Sequence, residues 1–195
     1  MNFDQNYWQN RYQNDLTGWD LGHVSRPLKF IIDNLSNKQI SILIPGAGNA
    51  YEALYLLQLG FKDITVLDIA QQPLKLLSQK IRDTSSLKII HEDFFNHTGA
   101  YDLILEQTFF CALHPHLRSK YVSMVHELLK TGGQLEGVLF NFNGIRESPP
   151  FTISEKEYKE LFQEKFDTIQ LEKCSNSEDS RKNKELIIKI IKNGK

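Results

Sequence analysis

The chain reads as one α/β domain, a mostly parallel seven-stranded sheet with one antiparallel strand at its C-terminal end and helices on both faces. Two observations predict this. Between residues 40 and 140 short apolar runs alternate with amphipathic segments, the pattern of strands joined by crossover helices. After residue 154, two apolar runs at 168–174 and 186–191 are separated only by the polar loop 175–184, which implies an antiparallel hairpin. A length of 195 residues suits a single domain that can bury a sizeable core. Residues 36–195 form the expected sheet core, and residues 1–35 an N-terminal arm or lid and a helix.

Each element has a local reason. Segment 3–12 carries Phe3, Tyr7, Trp8 and Tyr12 and reads as a short helix or arm. Segment 28–35 is a helix running into the Ser36-Asn37 turn. Strand 40–44 leads through Gly46 and Gly48 to a helix that Asn49 can cap. Ala53, Leu54, Leu56 and Leu57 form its buried side and Gly60 its left-handed stop. Strand 64–67 precedes helix 73–81, strand 87–90 ends in His91-Glu92-Asp93-Phe94-Phe95, and strand 101–106 precedes helix 117–129. The run Lys130-Thr131-Gly132-Gly133 stops that helix before strand 135–140. Helix 154–162 then precedes the hairpin.

Composition narrows the function. A net charge of −1 with interspersed acids and bases leaves no electrostatic footprint for nucleic acid or an anionic membrane. No apolar run is long enough to span a membrane, and the first residues lack the basic and apolar regions of a secretory signal. Two cysteines without a CxxC pair fit a reduced, cytoplasmic protein. Nothing in the chain fixes an oligomeric state, and a monomer is compatible with it.

The most informative stretch runs from Ile40 through Pro45-Gly46-Ala47-Gly48 to Asp68. A β-branched run, a Gly-x-Gly turn, an amphipathic segment and a second apolar run ending in an acid form a nucleotide-binding βαβ unit. The glycines let the backbone approach a ligand, and Asp68 can accept hydrogen bonds from a ribose diol. The dinucleotide fingerprint would place a third glycine at position 51, where this chain has Tyr51. A nucleoside without phosphates fits better, and S-adenosylmethionine is the common one. Ligands of open α/β sheets sit beyond the carboxyl ends of the strands. That rule draws Pro45–Asn49 (with Gly46 and Gly48), Asp68, Asp93 with Phe94, and Glu106 through Phe110 into one site. Asp93 and the Phe94 N–H could together read an adenine edge, although an acid at such a position also serves simply to cap a turn. Trp19, in the loop-like Thr17-Gly18-Trp19-Asp20-Leu21-Gly22, could set an indole face near a sulfonium charge.

Several of these segments occur together in a known order. Trp8, the Thr17–Gly22 loop, Pro45-Gly46-Ala47-Gly48, Val66-Leu67-Asp68-Ile69 and Glu92-Asp93-Phe94-Phe95 come first. Phe109-Phe110-Cys111-Ala112-Leu113-His114-Pro115, Arg118, Leu129-Lys130-Thr131-Gly132-Gly133 and Pro149-Pro150-Phe151 follow. The chain thereby resembles the thiopurine methyltransferase superfamily, and most of all its thiol and halide methyltransferases, from Trp8 to about Lys184. The resemblance implies a Rossmann-like methyltransferase fold, S-adenosylmethionine as cofactor, and cofactor contacts from Trp8, Trp19, Gly46, Asp68, Asp93 and Phe94. Tyr12 stands where the family often has a second arm tryptophan. Gln107 stands where it has a tyrosine after the acid, which alters the surroundings of the transferred methyl group.

Gln107, Phe110, Phe151 and Arg181 are candidates for the acceptor pocket, with Phe109, Cys111, Pro149 and Pro150 as further walls. Cys111 has no activating base beside it in sequence and reads as a packing residue. His114 and His116, with no further ligand cluster, make a poor metal site. The expected activity is methyl transfer to a small soft nucleophile such as a thiol, a thiopurine-like sulfur or a halide, by in-line displacement. Tellurite or a selenium compound is an alternative acceptor, and a non-catalytic adenosylmethionine-binding protein an alternative of another class. A nucleic-acid amino-methyltransferase is disfavoured because Pro149-Pro150-Phe151 follows the fifth strand, not the fourth.

Overall fold

The computed structural model describes residues 3–142, 144 and 146–194. Helices α1 (Gln5–Gln13) and α2 (Arg26–Asp33) precede β1 (Ser41–Pro45). Then α3 (Tyr51–Gln58), β2 (Asp63–Asp68), α4 (Gln71–Lys80), β3 (Leu87–His91) and β4 (Tyr101–Gln107) alternate. The chain closes with α5 (Arg118–Leu128), β5 (Leu129–Phe140), α6 (Glu155–Gln163), β6 (Thr168–Lys173) and β7 (Glu185–Ile191). The seven strands lie in the order β3-β2-β1-β4-β5-β7-β6, and only β7 runs against its neighbours. Seven strands with one reversed strand near the C-terminal edge is the architecture expected above. Among the described residues no helix is long and apolar enough to cross a membrane.

The alternation of side chains in the central strands builds a core on each face. Ile42, Ile44, Leu103 and Leu105 pack with Leu28, Ile32, Leu56 and Leu74 of α2, α3 and α4. Leu43 and Ile104 point the other way, against Tyr121, Val125, Tyr158 and Phe162 of α5 and α6. Ser25 caps α2 by accepting from the Leu28 N–H, with Pro27 in the first turn, so this helix starts two residues before the expected 28. Helix α3 ends as expected. Gly60, at φ +83°, donates to Leu57 while Phe61 donates to Leu56, the paired bonds of a Schellman stop.

Two local expectations are corrected. Asn49 does not cap α3. The cap position is Ala50, in the left-handed region without a side-chain bond, and the Asn49 amide donates instead to Asp20 in the arm loop. Lys130-Thr131-Gly132-Gly133 does not separate helix from strand, because β5 already begins at Leu129. The four residues form an irregularity inside it, and the pairing with β4 jumps from Tyr101–Leu129 to Leu103–Gln134. Gly132, at φ +80°, donates there to the Lys192 carbonyl.

At the other end of the same strand pair, Gly137 lies opposite Glu106, and a Cβ there would be driven into the Glu106 carbonyl oxygen. Gly137→Ala is therefore expected to lower unfolding free energy by about 2–3 kcal/mol or more in chemical denaturation. Gly18→Ala, with nothing within 4 Å of the added methyl, should stay within about 0.5 kcal/mol of the parent.

Candidate functional site

The carboxyl ends of β1, β2, β3 and β4 converge on one cavity of about 930 Å³, within the range for a small-molecule site. Its floor begins at the glycine turn after β1. Gly46 and Gly48 both take positive φ, 57° and 50°. A Cβ at Gly46 would collide with the Phe109 ring and one at Gly48 would push the Tyr12 hydroxyl aside, and at both positive φ values a side chain is strained. Asp68, at the end of β2, holds this turn. One carboxylate oxygen accepts from the Gly48 N–H at 2.7 Å and the other from the Ala70 N–H at 2.7 Å. Burial raises its pKa, and backbone N–H groups of Ala70, Gly48 and Ile69, with His91 nearby, oppose that shift. A carboxylate has about four lone-pair sites, more than these donors fill, so capacity is left for a ligand hydroxyl.

Past β3, Asp93 caps a single 3-10 turn by accepting from the Phe95 N–H at 2.9 Å. Its turn-capping role is thus realised, and the residue also lines the cavity. Phe94, almost fully buried, meets Phe109 edge-on at 5.2 Å, and both rings line the cavity.

The roof is the arm. Helix α1, capped by Asp4, docks on the start of α4, where the Gln9 side chain accepts from the Gln72 N–H at 3.1 Å. Trp8 anchors its indole N–H on the Phe3 carbonyl at 3.1 Å and meets Trp19 edge-on at 5.5 Å. Tyr12 meets Trp19 at 5.7 Å on the other side. Arg181, from the loop between β6 and β7, donates to the Trp19 carbonyl at 2.6 Å, pairs with Glu185 at 3.5 Å and lies over the Phe140 ring.

The cavity thus gathers Trp8, Trp19, Gly46, Asp68, Asp93, Phe94 and Arg181 from widely spaced parts of the sequence. Gly48 and Gln107 line a smaller space of about 70 Å³ beside it, which also touches Trp19 and Arg181. Gln107 accepts from the Ser25 hydroxyl at 2.7 Å. Three expected positions lie in neither space. Phe110 is a core residue against Tyr121, Tyr158 and Phe162. Phe151 is buried between Phe3 and His114, with its backbone bonded to Cys111. Glu106 is fully buried beneath the loop after β4. One oxygen accepts from the Phe109 and Phe110 N–H groups at 2.9 and 3.0 Å, and the other from the Tyr121 hydroxyl at 2.6 Å. It shapes the wall from behind, because those two N–H bonds fix the turn that carries Phe109.

Cys111 lines the cavity, but its thiol donates to the Thr108 carbonyl at 3.3 Å, and burial with Glu106 nearby pushes its pKa far up. It is a protonated wall and no nucleophile. Sequence reasoning missed Phe3, Tyr7, Arg11 and Glu92 as lining residues. The spacing of Asp4, Tyr7, Trp8 and Arg11 at one helix face was the available signal.

The Glu106 carboxyl gives a pH signature. Burial raises it from 4.5 to about 7 against the pull of its three donors. The folded state then holds a proton that the unfolded chain releases, so this group's stabilisation is complete below pH 4.5 and lost as pH rises through 7. Between those limits unfolding free energy should fall with pH more steeply in the parent than in Glu106→Gln, by about 3 kcal/mol at most. Parallel profiles in denaturant titrations would contradict the assignment.

The chain is 28% identical over 159 residues to a probable thiol methyltransferase 2 of Arabidopsis thaliana, covering 79% of this chain and 70% of that protein. It is 24% identical over 184 residues to thiocyanate methyltransferase 1 of Brassica oleracea, covering 91% and 81%. Among solved structures, the 1,6-didemethyltoxoflavin-N1-methyltransferase of Burkholderia thailandensis, with S-adenosylhomocysteine and 1,6-didemethyltoxoflavin bound, superposes with a TM-score of 0.76. The match covers 97% of this chain and 87% of that one at 18% identity, a likeness of fold. The model of the thiopurine S-methyltransferase (TPMT) family matches residues 3–194, and the chain belongs to that family.

Proposed function

We propose that the protein is an S-adenosylmethionine-dependent methyltransferase acting on a small, soft sulfur or halide nucleophile. The observation that carries this reading is the convergence of Asp68, Asp93 and the Gly46 turn with a phenylalanine-rich wall in one cavity under an aromatic arm. The donors fit the cofactor. The free lone pairs of Asp68 suit a ribose diol, and Asp93 with the Phe94 face suits adenine. Trp8 and Trp19 offer ring faces where a sulfonium charge would be favoured, by about 0.5–2 kcal/mol. Bound S-adenosylmethionine would supply a methyl carbon on a positively charged sulfur.

The residues around the acceptor exclude water and orient it. Phe109, Phe142, Pro149 and Pro150 give apolar walls, and a soft anion freed of its hydration shell needs no base to attack. The arm supplies the last side of the enclosure, so its docking through Gln9 and the Trp19 carbonyl dries the site.

Two experiments test this. Asp68→Asn places an amide donor against one of the two backbone N–H groups and weakens the hydroxyl contacts. By calorimetry it should lose at least about tenfold in affinity for S-adenosylhomocysteine, roughly 1.5–3 kcal/mol. Unchanged affinity removes Asp68 from the site. Purified protein with cofactor should release methyl thioether from a thiol, or methyl iodide from iodide, into the headspace. Methylation of bulk RNA or DNA with none of any soft anion overturns the acceptor class, and tight S-adenosylhomocysteine binding without product on any acceptor favours a binding protein.

A further inference from the structure

Four cationic side chains line the main cavity among the described residues, Arg11, Arg146, Arg181 and Lys184. Two are engaged and a third is solvated. Arg181 is committed to Trp19 and Glu185, Lys184 donates to the Ser180 carbonyl at 3.1 Å, and Arg146 is solvent-exposed beside Phe142. Arg11 differs. Its guanidinium lies 5.5 Å from the Trp19 ring centre and 5.9 Å from that of Tyr7, and none of the ion pairs among the described residues includes it. Its Nε is buried without a hydrogen-bond partner. A cation in the last turn of α1 suits the helix dipole, but that accounts for the charge and not for a buried, unpaired N–H. Arg11 thus brings to the cavity wall a positive charge that no carboxylate of the described residues neutralises, where a ligand's negative charge can meet it.

We propose that Arg11 recognises the negative charge of the methyl acceptor, so that the enzyme selects acceptors that enter the cavity as anions. This rests on the methyl-transfer reading above and names the residue that sets its substrate charge. The chemistry suits the side chain. A planar, delocalised and weakly hydrated guanidinium pairs with a soft anion at lower desolvation cost than an ammonium would. The stacking of Arg11 on Trp19 fixes its direction before the anion arrives. In the transfer, the acceptor's lone pair forms the new bond to the methyl carbon while the carbon–sulfur bond breaks and its electron pair returns to sulfur. No proton moves, and the acceptor's negative charge disappears along the way. The attraction to Arg11 is therefore greatest before transfer, so its loss raises KM and leaves kcat unchanged or higher.

Arg11→Met keeps the apolar stem and removes the charge; Arg11→Lys keeps the charge without the planar fork. With iodide or hydrosulfide as acceptor, Arg11→Met should raise KM at least about tenfold with kcat unchanged or higher, and Arg11→Lys should bring KM part of the way back. A binding readout avoids turnover. The only two tryptophans of the chain, Trp8 and Trp19, both line this cavity. In the S-adenosylhomocysteine complex iodide should quench them with a saturable component that Arg11→Met abolishes. If the parent methylates no acceptor yet shows Arg11-dependent saturable quenching, the methyl-transfer reading fails and the anion site stands. Unaltered KM, a fall in kcat alone, or purely collisional quenching in the parent overturns the proposal. So does a variant that weakens S-adenosylhomocysteine but not methylthioadenosine, which lacks the carboxylate, because Arg11 would then serve the cofactor's acid.

Discussion

The site hangs on one carboxylate that spans two strand ends. Asp68 ties the β1 turn to the start of α4 by accepting from the Gly48 and Ala70 N–H groups, and this double bond sets where both chain segments leave the sheet. Everything above it follows. The turn so fixed disfavours a side chain at Gly46 or Gly48, and the vacated volume is taken by the Phe109 ring on one side and the Tyr12 hydroxyl on the other. The loop after β4 and the arm are thus both registered against the same four-residue turn. Burying this acid costs desolvation, which its backbone donors oppose, and the result is a rigid junction at the floor of the cavity.

A second buried acid does the corresponding work one strand over. Glu106 receives two backbone N–H groups and the Tyr121 hydroxyl, so the turn carrying Phe109 is bonded to α5 through a single side chain. Gly137 lets β5 approach β4 closely enough for this. The two acids divide the labour. Asp68 faces the cavity and keeps lone pairs in reserve, whereas Glu106 turns away and spends both oxygens on the scaffold.

Much of this was legible in the sequence because periodicity and turn chemistry are local. The β1–Gly46–α3–β2–Asp68 unit, the Gly60 stop and the C-terminal hairpin follow from residue types at short range. What escaped was what depends on partners far along the chain. Asn49 looks like a helix cap by sequence but bonds Asp20, 29 positions away in a loop with no periodic pattern. Phe110 and Phe151 look like pocket walls because their neighbours are, yet the twist of a 3-10 turn and the packing of Phe3 send their rings into the interior. Glu106 sits at a strand end, where ligands bind, and only the position of Tyr121 reveals that its carboxylate points beneath the cavity. Arg11 was hidden by type, since an arginine on a polar helix reads as solvated surface until the stacking of Trp19 is known.

The reversed strand has a consequence for the order in which the chain can assemble. Because β7 lies between β5 and β6, the two strands that precede it cannot pair with each other. During synthesis β1 to β5 can form a parallel sheet, but β5 presents an open edge until residues 185–191 emerge and insert. The last strand is thus a keystone laid between two others, and the interval before it arrives is when the nascent chain offers a template for wrong pairing with a neighbour. Polar, exposed residues of β6, Gln170 and Glu172 on one face and Lys173 on the other, guard the outer strand during that interval.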